Sequence, residues 1–432
     1  MKKMRSKTFK YGIHPEEKKE ISKGMAIREL CPGSLVKIPL DQHIGKPAVA
    51  VVAPGDAVKQ GTLIAAAGGF VSANIHSSVS GTVKKVELQP NFRGGKSACI
   101  FIENDFKYET DYLPPVVDFD RETLIKRARE AGIVGMGGAG FPLDVKLSPK
   151  NPVETLLINA SECEPYITCD YRLMIERAEK ILKGIEYLRI AAGAKNAVIG
   201  VEANKSDAYA ELLRFASGNI TVEMLKTKYP EGGEKQLIYA LTRKKVPAGK
   251  LPADIGYIVS NVATAYAMAE AVDEGKPLIE RIVTVSGAAV KKPANYSVRI
   301  GTSFAELKEA SEGGEDFVKA IAGGPMMGFA LHSVDFPVTK TSGALLLLTA
   351  DEIREVEPTP CLNCGRCANV CPMSLLPMRT DALILHDKIE ECKQYHPELC
   401  IECGCCAYVC PAKRPLVQTQ RLAKKLIRQK GK

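Results

Sequence analysis

The sequence predicts a multidomain α/β protein, and three observations carry that prediction. Its 432 residues exceed what one hydrophobic core organises, since domains run to roughly 150 residues. Between residues 116 and 278, short β-prone runs alternate with helix-patterned segments, the pattern of a mostly parallel sheet covered by helices. Ten of the fourteen cysteines lie between Cys361 and Cys410, which marks a separate unit. Apolar residues make up 45% and charged residues 25%, ordinary values that exclude a disordered or fibrous chain. The longest apolar runs, such as Ala344–Leu348, fall far short of the ~18–20 residues of a membrane span. The basic start is followed by Glu16, Glu17 and Glu20, not by the apolar core of a signal peptide.

Residues 1–30, with nine Lys/Arg against four acids, read as a basic extension with few packing residues. Residues 31–115 carry short runs at Ala48–Ala53, Thr62–Ala66 and Gly81–Glu87 between Gly, Pro and Asn turns, which suggests a small antiparallel barrel or sandwich. The turn Pro54–Asp56 and the hairpin Ile75–Gly81 resemble a biotinyl/lipoyl-type barrel-sandwich domain. Those carriers present a modifiable lysine at the tip, and Val71–Gly81 contains none, so a structural or docking module is expected. Pro114-Pro115 marks a linker.

Residues 116–278 form the α/β unit. Arg121–Ala131 reads as a helix, with Asp118 or Asp120 as N-cap and Gly132 at its end. Strands follow at Thr155–Asn159, Ala197–Glu202, Thr221–Leu225 and Ile255–Asn261. Helices alternate with them at Tyr171–Arg189, Ser206–Phe215, Glu234–Leu241 and Thr264–Val272. A ligand of such a sheet sits at the carboxyl ends of its strands. Residues 279–350 return to short strands around one helix, Ser303–Ala310, as in a small β-grasp module. Residues 355–432 are the cysteine-rich unit, and from Pro411 onward it carries eight Lys/Arg and no acid. The chain between the two basic ends is slightly acidic, and the tail lacks interleaved aromatics, so no nucleic-acid partner is expected. The tail permits a basic amphipathic helix, resting on anionic lipid or an acidic partner, or packed on the cysteine unit.

The cysteines carry the strongest signal. Cys361-x2-Cys364-x2-Cys367-x3-Cys371-Pro372 recurs as Cys400-x2-Cys403-x2-Cys406-x3-Cys410-Pro411. This is the run that holds two 4Fe–4S clusters in bacterial ferredoxins, where the fourth cysteine of each run crosses to the other cluster. Cluster one is thus expected on Cys361, Cys364, Cys367 and Cys410, and cluster two on Cys400, Cys403, Cys406 and Cys371. Zinc would favour paired C-x2-C motifs instead. Cys31, Cys99, Cys392 and Cys405 read as bystanders.

Gly135-Met136-Gly137-Gly138-Ala139-Gly140-Phe141-Pro142 contains a formal G-x-G-x-x-G, but it follows a helix and not a strand, so a dinucleotide fingerprint is not established. Its backbone N–H groups can approach a phosphate or ring closely, or the loop is a plain turn. Asn159–Pro165, Gly232–Lys235 and Asn261–Thr264 fall at strand ends or helix starts. Singly each reads as caps and turns; together they outline a nucleotide pocket.

Gly135–Pro142 with Lys146 resembles the glycine loop of the flavin- and NADH-binding subunit of respiratory complex I. Asn159–Pro165 and Asn261–Thr264 are similar to two further motifs of that subunit, with Ser161 and Cys163 as departures. The order of barrel-sandwich, Glu162-Cys163-Glu164-Pro165-Tyr166, Tyr229–Gln236 and two terminal cluster motifs resembles RnfC, the C component of the Rnf ion-translocating electron-transport complexes. That resemblance implies flavin mononucleotide held by Gly135, Gly137, Gly138, Gly140 and Phe141, with Lys146, Asn159, Asn261 and Thr264 toward ribityl and phosphate. It implies Glu162, Glu164 and Glu234 near the isoalloxazine and the NADH nicotinamide, where hydride transfer demands aligned reactants. It implies a β-grasp (soluble-ligand-binding) domain acting as a spacer between flavin and clusters.

The implied activity is ferredoxin:NAD+ oxidoreduction coupled to ion transport, with NAD(H), FMN and two 4Fe–4S clusters as cofactors. The implied partners are other Rnf subunits, among them integral membrane subunits and an iron–sulfur subunit that accepts electrons from ferredoxin. The chain itself would lie peripherally on the cytoplasmic face of the cell membrane. The nearest alternative is a soluble flavin/iron–sulfur cobalamin reductase of the propanediol-utilisation type. A non-enzymatic assembly or metal-storage module is the third reading.

Overall fold

A computed structural model describes residues 7–353 and 356–430. Its βα repeats build a four-stranded parallel sheet in the order Ile220–Leu225, Asn196–Glu202, Thr155–Ala160, Tyr257–Asn261. The strand earliest in sequence, 155–160, lies inside the sheet. The chain steps outward from it on one side and then returns to its other side with 257–261. That reversal opens a crevice beyond the strand ends, and Asn159 and Asn261 sit opposite each other in register at its edge.

The helix Arg121–Glu130 starts where Asp120 accepts a hydrogen bond from the Thr123 N–H (2.9 Å), and Gly132 follows its end at φ 60°. The segment expected as one helix over Tyr171–Arg189 is two, Cys169–Glu176 and Ala178–Ala192, broken at Arg177. The break serves two packing directions. The first piece lies on the strand Glu280–Ser286, and the second on the helix Val262–Asp273.

Residues 35–104 form two facing antiparallel sheets around Val36, Ile38, Ile64, Val83, Ile100 and Ile102. The carrier-like hairpin 75–81 is fixed in place: Ser77, Ser78 and Val79 are fully buried, and Ser78 Oγ donates to the Ile300 carbonyl (2.5 Å). A mixed sheet orders Ala294–Arg299, Glu280–Ser286, Ala344–Leu348, Lys319–Ala322 and Phe329–Leu331 beside the helix Phe304–Ala310. Ser303 and Glu306 close a reciprocal cap on that helix. The cysteine unit packs four short helices and the 15-residue Leu416–Lys430 helix.

The N-terminal segment differs from the expected polar extension. Phe9 and Ile13 are buried. Lys7 bridges Leu225, Ile13 bridges Tyr229, and the Gly12 N–H donates to the Val370 carbonyl (3.0 Å). Ile27–Leu30 then joins the mixed sheet as an edge strand, parallel to 295–298. Residues 7–30 are therefore a strap across the α/β, cysteine and β-grasp units. Lys2, Lys3 and Arg5 of the basic start, together with Glu355 and Lys432, lie outside the described residues.

Candidate functional site

The crevice is built from the ends of strands. Gly135 N–H donates to the Phe141 carbonyl (2.8 Å), closing the glycine loop into a ring of backbone. The fully buried Thr264 hydroxyl accepts from the Met136 N–H (3.0 Å) and ties that loop to the helix start. A Cβ at Gly137 would lie 3.1 Å from the Asn261 side chain, whereas one at Gly138 would meet nothing within 4 Å. The loop thus presses against Asn261 at one residue and is open at the next.

The two asparagines act as braces. Asn261 Oδ1 accepts from the Ala263 N–H (2.8 Å) and caps the 262–273 helix, while its Nδ2 donates to Asp170 (2.6 Å). Asn159 Nδ2 donates to the Gly232 carbonyl (2.9 Å) and its Oδ1 accepts from the Ser161 N–H (3.1 Å). The N-terminus of the 12-residue helix, capped by Asn261, thus lies at these strand ends, where a helix start can seat a phosphate. At the rim, Lys146 and Glu234 form an ion pair of 3.3 Å.

The other two carboxylates lie deeper. Glu162 accepts from the Asp170 N–H (2.7 Å), at the start of the 169–176 helix, and stands 3.8 Å from Lys19 Nζ. Burial pushes its carboxyl up to about 7, and Lys19 opposes that rise. Lys19 comes from the strap, and its Nζ also donates to the Glu164 carbonyl (2.9 Å) and the Ile167 carbonyl. Glu164 accepts from the Met326 N–H (3.1 Å), and burial pushes it, too, up to about 7. Gly324 is packed so closely that a Cβ would fall 2.2 Å from Glu164 Oε2. Glu162, Glu164 and Glu234 therefore share no common face: two are anchored in the interior, and one is at the rim.

The cysteine unit holds two pockets. One is lined by Cys361, Cys364, Cys367 and Cys410, the other by Cys371, Cys400, Cys403 and Cys406. Each gathers the first three spaced thiols of one run and the last thiol of the other, and Cys405 lines the second pocket as a fifth thiol. The second pocket abuts the nucleotide unit directly, because Tyr229 Oη donates to the Cys403 carbonyl (2.8 Å) and Gln236 Nε2 to the Pro372 carbonyl (3.4 Å). The β-grasp unit is thus no spacer in series; its 323–328 loop touches Glu164 and Gly404 from the side. Cys405 is buried beside Tyr229 and Ile13, and Cys392 packs with Ile384, Ile389 and Ala423.

Known proteins share this architecture. The chain is 43% identical over 380 residues (86% of this chain, 83% of the relative) to the C component of the proton-translocating ferredoxin:NAD(+) oxidoreductase complex of Clostridium ljungdahlii. It is 40% identical over 439 residues (98% of each chain) to the C component of the Na(+)-translocating ferredoxin:NAD(+) oxidoreductase complex of Acetobacterium woodii. The chain belongs to the RnfC family.

Four family descriptions map onto this RnfC chain. Residues 7–107 match the RnfC barrel sandwich hybrid domain and 128–270 the Nuo51 FMN-binding domain. Residues 282–330 match the SLBB domain and 360–413 the 4Fe-4S dicluster domain. The chain is therefore one subunit of an NAD-linked oxidoreductase, with FMN and 4Fe–4S domains. The relatives' names support this reading and not the cobalamin reductase. Two solved structures of an NAD+-reducing NiFe-hydrogenase share the fold. The air-oxidised form has a TM-score of 0.51 at 21% identity, covering 63% of this chain and 54% of that one. The H2-reduced form has 0.52 at 18%, covering 71% and 62%.

The residues fit these cofactors. Two sets of four thiols suit two cubanes, and the open backbone at Gly138 with the helix N-terminus suits a flavin phosphate. Sequence reasoning missed Lys19 and Asp170, gave Tyr229 and Gln236 no role of their own, and read Gly323–Gly328, with Met326, as a notable segment explicable as a turn beside packing methionines. Lys19 had no local signal at all, since it sits in a charge run that reads as solvated.

Proposed function

We propose that this chain is the nucleotide end of its complex, passing electrons between NADH, a flavin in the crevice and two 4Fe–4S clusters. A nicotinamide gives two electrons as hydride and a cubane takes one at a time; a flavin converts between the two. Gly135, Gly137, Gly138, Gly140 and Phe141 would cradle the flavin, and Lys146, Asn159, Asn261 and Thr264 would orient ribityl and phosphate. Asn261 and Asn159 do so by bracing the helix start and the 232 turn. Glu234 stands at the rim, where a nicotinamide nucleotide would enter, while Glu162 and Glu164 hold the crevice wall.

Cys361, Cys364, Cys367 and Cys410 would bind one cluster, and Cys371, Cys400, Cys403 and Cys406 the other, nearer the flavin. The observation that carries this reading is that the Tyr229–Gly232 stretch joins the two sites, since Tyr229 Oη donates to the carbonyl of Cys403, which lines the second cysteine pocket, and the Gly232 carbonyl accepts from Asn159 at the crevice. Among the described residues no helix is long and apolar enough to cross a membrane. We assign ion passage to integral membrane subunits, and onward transfer to an iron–sulfur subunit that exchanges electrons with ferredoxin. The chain would then lie on the cytoplasmic face.

Anaerobic purification with flavin and iron counts, followed by NADH titration at flavin and cluster wavelengths, tests the assignment. Flavin and then cluster absorbance should bleach, with about eight irons per chain. Full iron loading without an NADH-reducible flavin would overturn it.

A further inference from the structure

We propose that Tyr229 is the bridge by which electrons cross between the flavin crevice and the cluster pocket of Cys371, Cys400, Cys403 and Cys406. Glu164 and Met326 hold its hydroxyl in place. The proposal rests on the flavin reading above and adds a residue to it.

Tyr229 is 1% exposed and packs with Ile13, Cys403 and Cys405. Its hydroxyl donates to the Cys403 carbonyl (2.8 Å) and lies 3.5 Å from Glu164 Oε1. Three residues on, the Gly232 carbonyl accepts from Asn159, and the Gly232 N–H donates to Cys163 Sγ (3.3 Å). One short stretch of chain thus runs from crevice wall to cluster ligand through covalent bonds and a single hydrogen bond.

Two neighbours fix that geometry. The Met326 N–H donates to Glu164 Oε2, on the carboxylate whose other oxygen faces Tyr229. The Met326 carbonyl and Cε lie against Gly404, next to Cys403. The β-grasp loop therefore clamps Glu164 and the cluster loop together. Hydrogen bonding and exclusion of water around the ligands are both levers on a cluster's potential.

Each crossing takes one electron from reduced flavin and gives it to one oxidised cluster. No bond to Tyr229 forms or breaks, and its proton stays on the phenol oxygen.

The test is Tyr229→Phe in the holoprotein, which keeps the ring and removes only the hydroxyl. NADH-driven flavin bleaching, the KM for NADH, and flavin and iron content should match the wild type. Cluster reduction after rapid mixing should slow several-fold, and one of the two cluster EPR signals should shift. Incorporating 3,5-difluorotyrosine at position 229 keeps the shape and sharpens the donor. It should move the same EPR signal, and it gives the answer if the Phe variant does not fold. Wild-type cluster kinetics and EPR in these proteins, with normal flavin bleaching, would overturn the bridge. Absence of flavin bleaching in the wild type would instead overturn the flavin reading.

Discussion

Glu231 is fully buried, with one carboxyl oxygen accepting from Thr8 Oγ1 (2.9 Å) and the other without a partner. Burial pushes it up to about 8, so the folded chain holds this proton where the unfolded chain, near 4.5, has released it. The stability it contributes is full below about 4.5 and falls as pH rises toward 8, by at most about 5 kcal/mol. Glu231→Gln should flatten that slope in anaerobic denaturant midpoints between pH 5 and 9; a slope equal to the wild type's would show that Glu231 is ionised in the fold. At this scale the sequence was legible where chemistry is local. The eight cysteines of the two spaced runs were readable from spacing, and the pockets group them as the crossed pattern predicts, with Cys405 added to the second. Glu162 and Glu164 were legible as carboxylates near the crevice, but their anchoring by Lys19 and Met326 was not, because those partners lie more than 140 residues away.

Among elements, the C-terminal helix Leu416–Lys430 packs one face on the cysteine unit. Leu416, Thr419, Gln420 and Ala423 are buried. Thr419 and Arg414 hold Asp381, and Arg421 and Lys424 hold Glu402. Leu416 walls the first cysteine pocket, and Val417 and Gln420 wall the second. Deleting residues 416–432 should therefore cost iron: the truncated protein should bind less than half of the wild-type content and lose the visible cluster absorbance, while flavin content holds. Full iron in that variant would return the helix to an external role. The amphipathic pattern was readable, but its partner was not, since a buried stripe looks the same whether it meets lipid or protein. The single helix expected over 171–189 failed for a similar reason: Arg177 carries no helix-breaking signal, and only tertiary packing turns the chain there.

Across the whole molecule, the strap is the feature that composition disguised. Its Lys19 is 6% exposed, and without it Glu162 would lose the cation that stands 3.8 Å from it and keep only the weaker pull of Lys205. Lys19→Met should destabilise the protein by roughly 3–5 kcal/mol, read as an earlier denaturation midpoint and faster release of the cysteine unit by limited proteolysis. A midpoint within error of the wild type would mean that Glu162 is neutral in the fold. The multidomain α/β class was readable because periodicity is local, whereas the strap pairs through isolated bridges that leave no repeat in the sequence. The strap also has a consequence in time. Ile27–Leu30 pairs with 295–298, and Gly12 bonds Val370, so this segment must wait for partners that are synthesised much later in the chain. At about 5–20 residues per second, that wait is on the order of tens of seconds. The newborn chain must keep Phe9 and Ile13 from other partners until then, and the lysines crowded around them give it the solubility to do so.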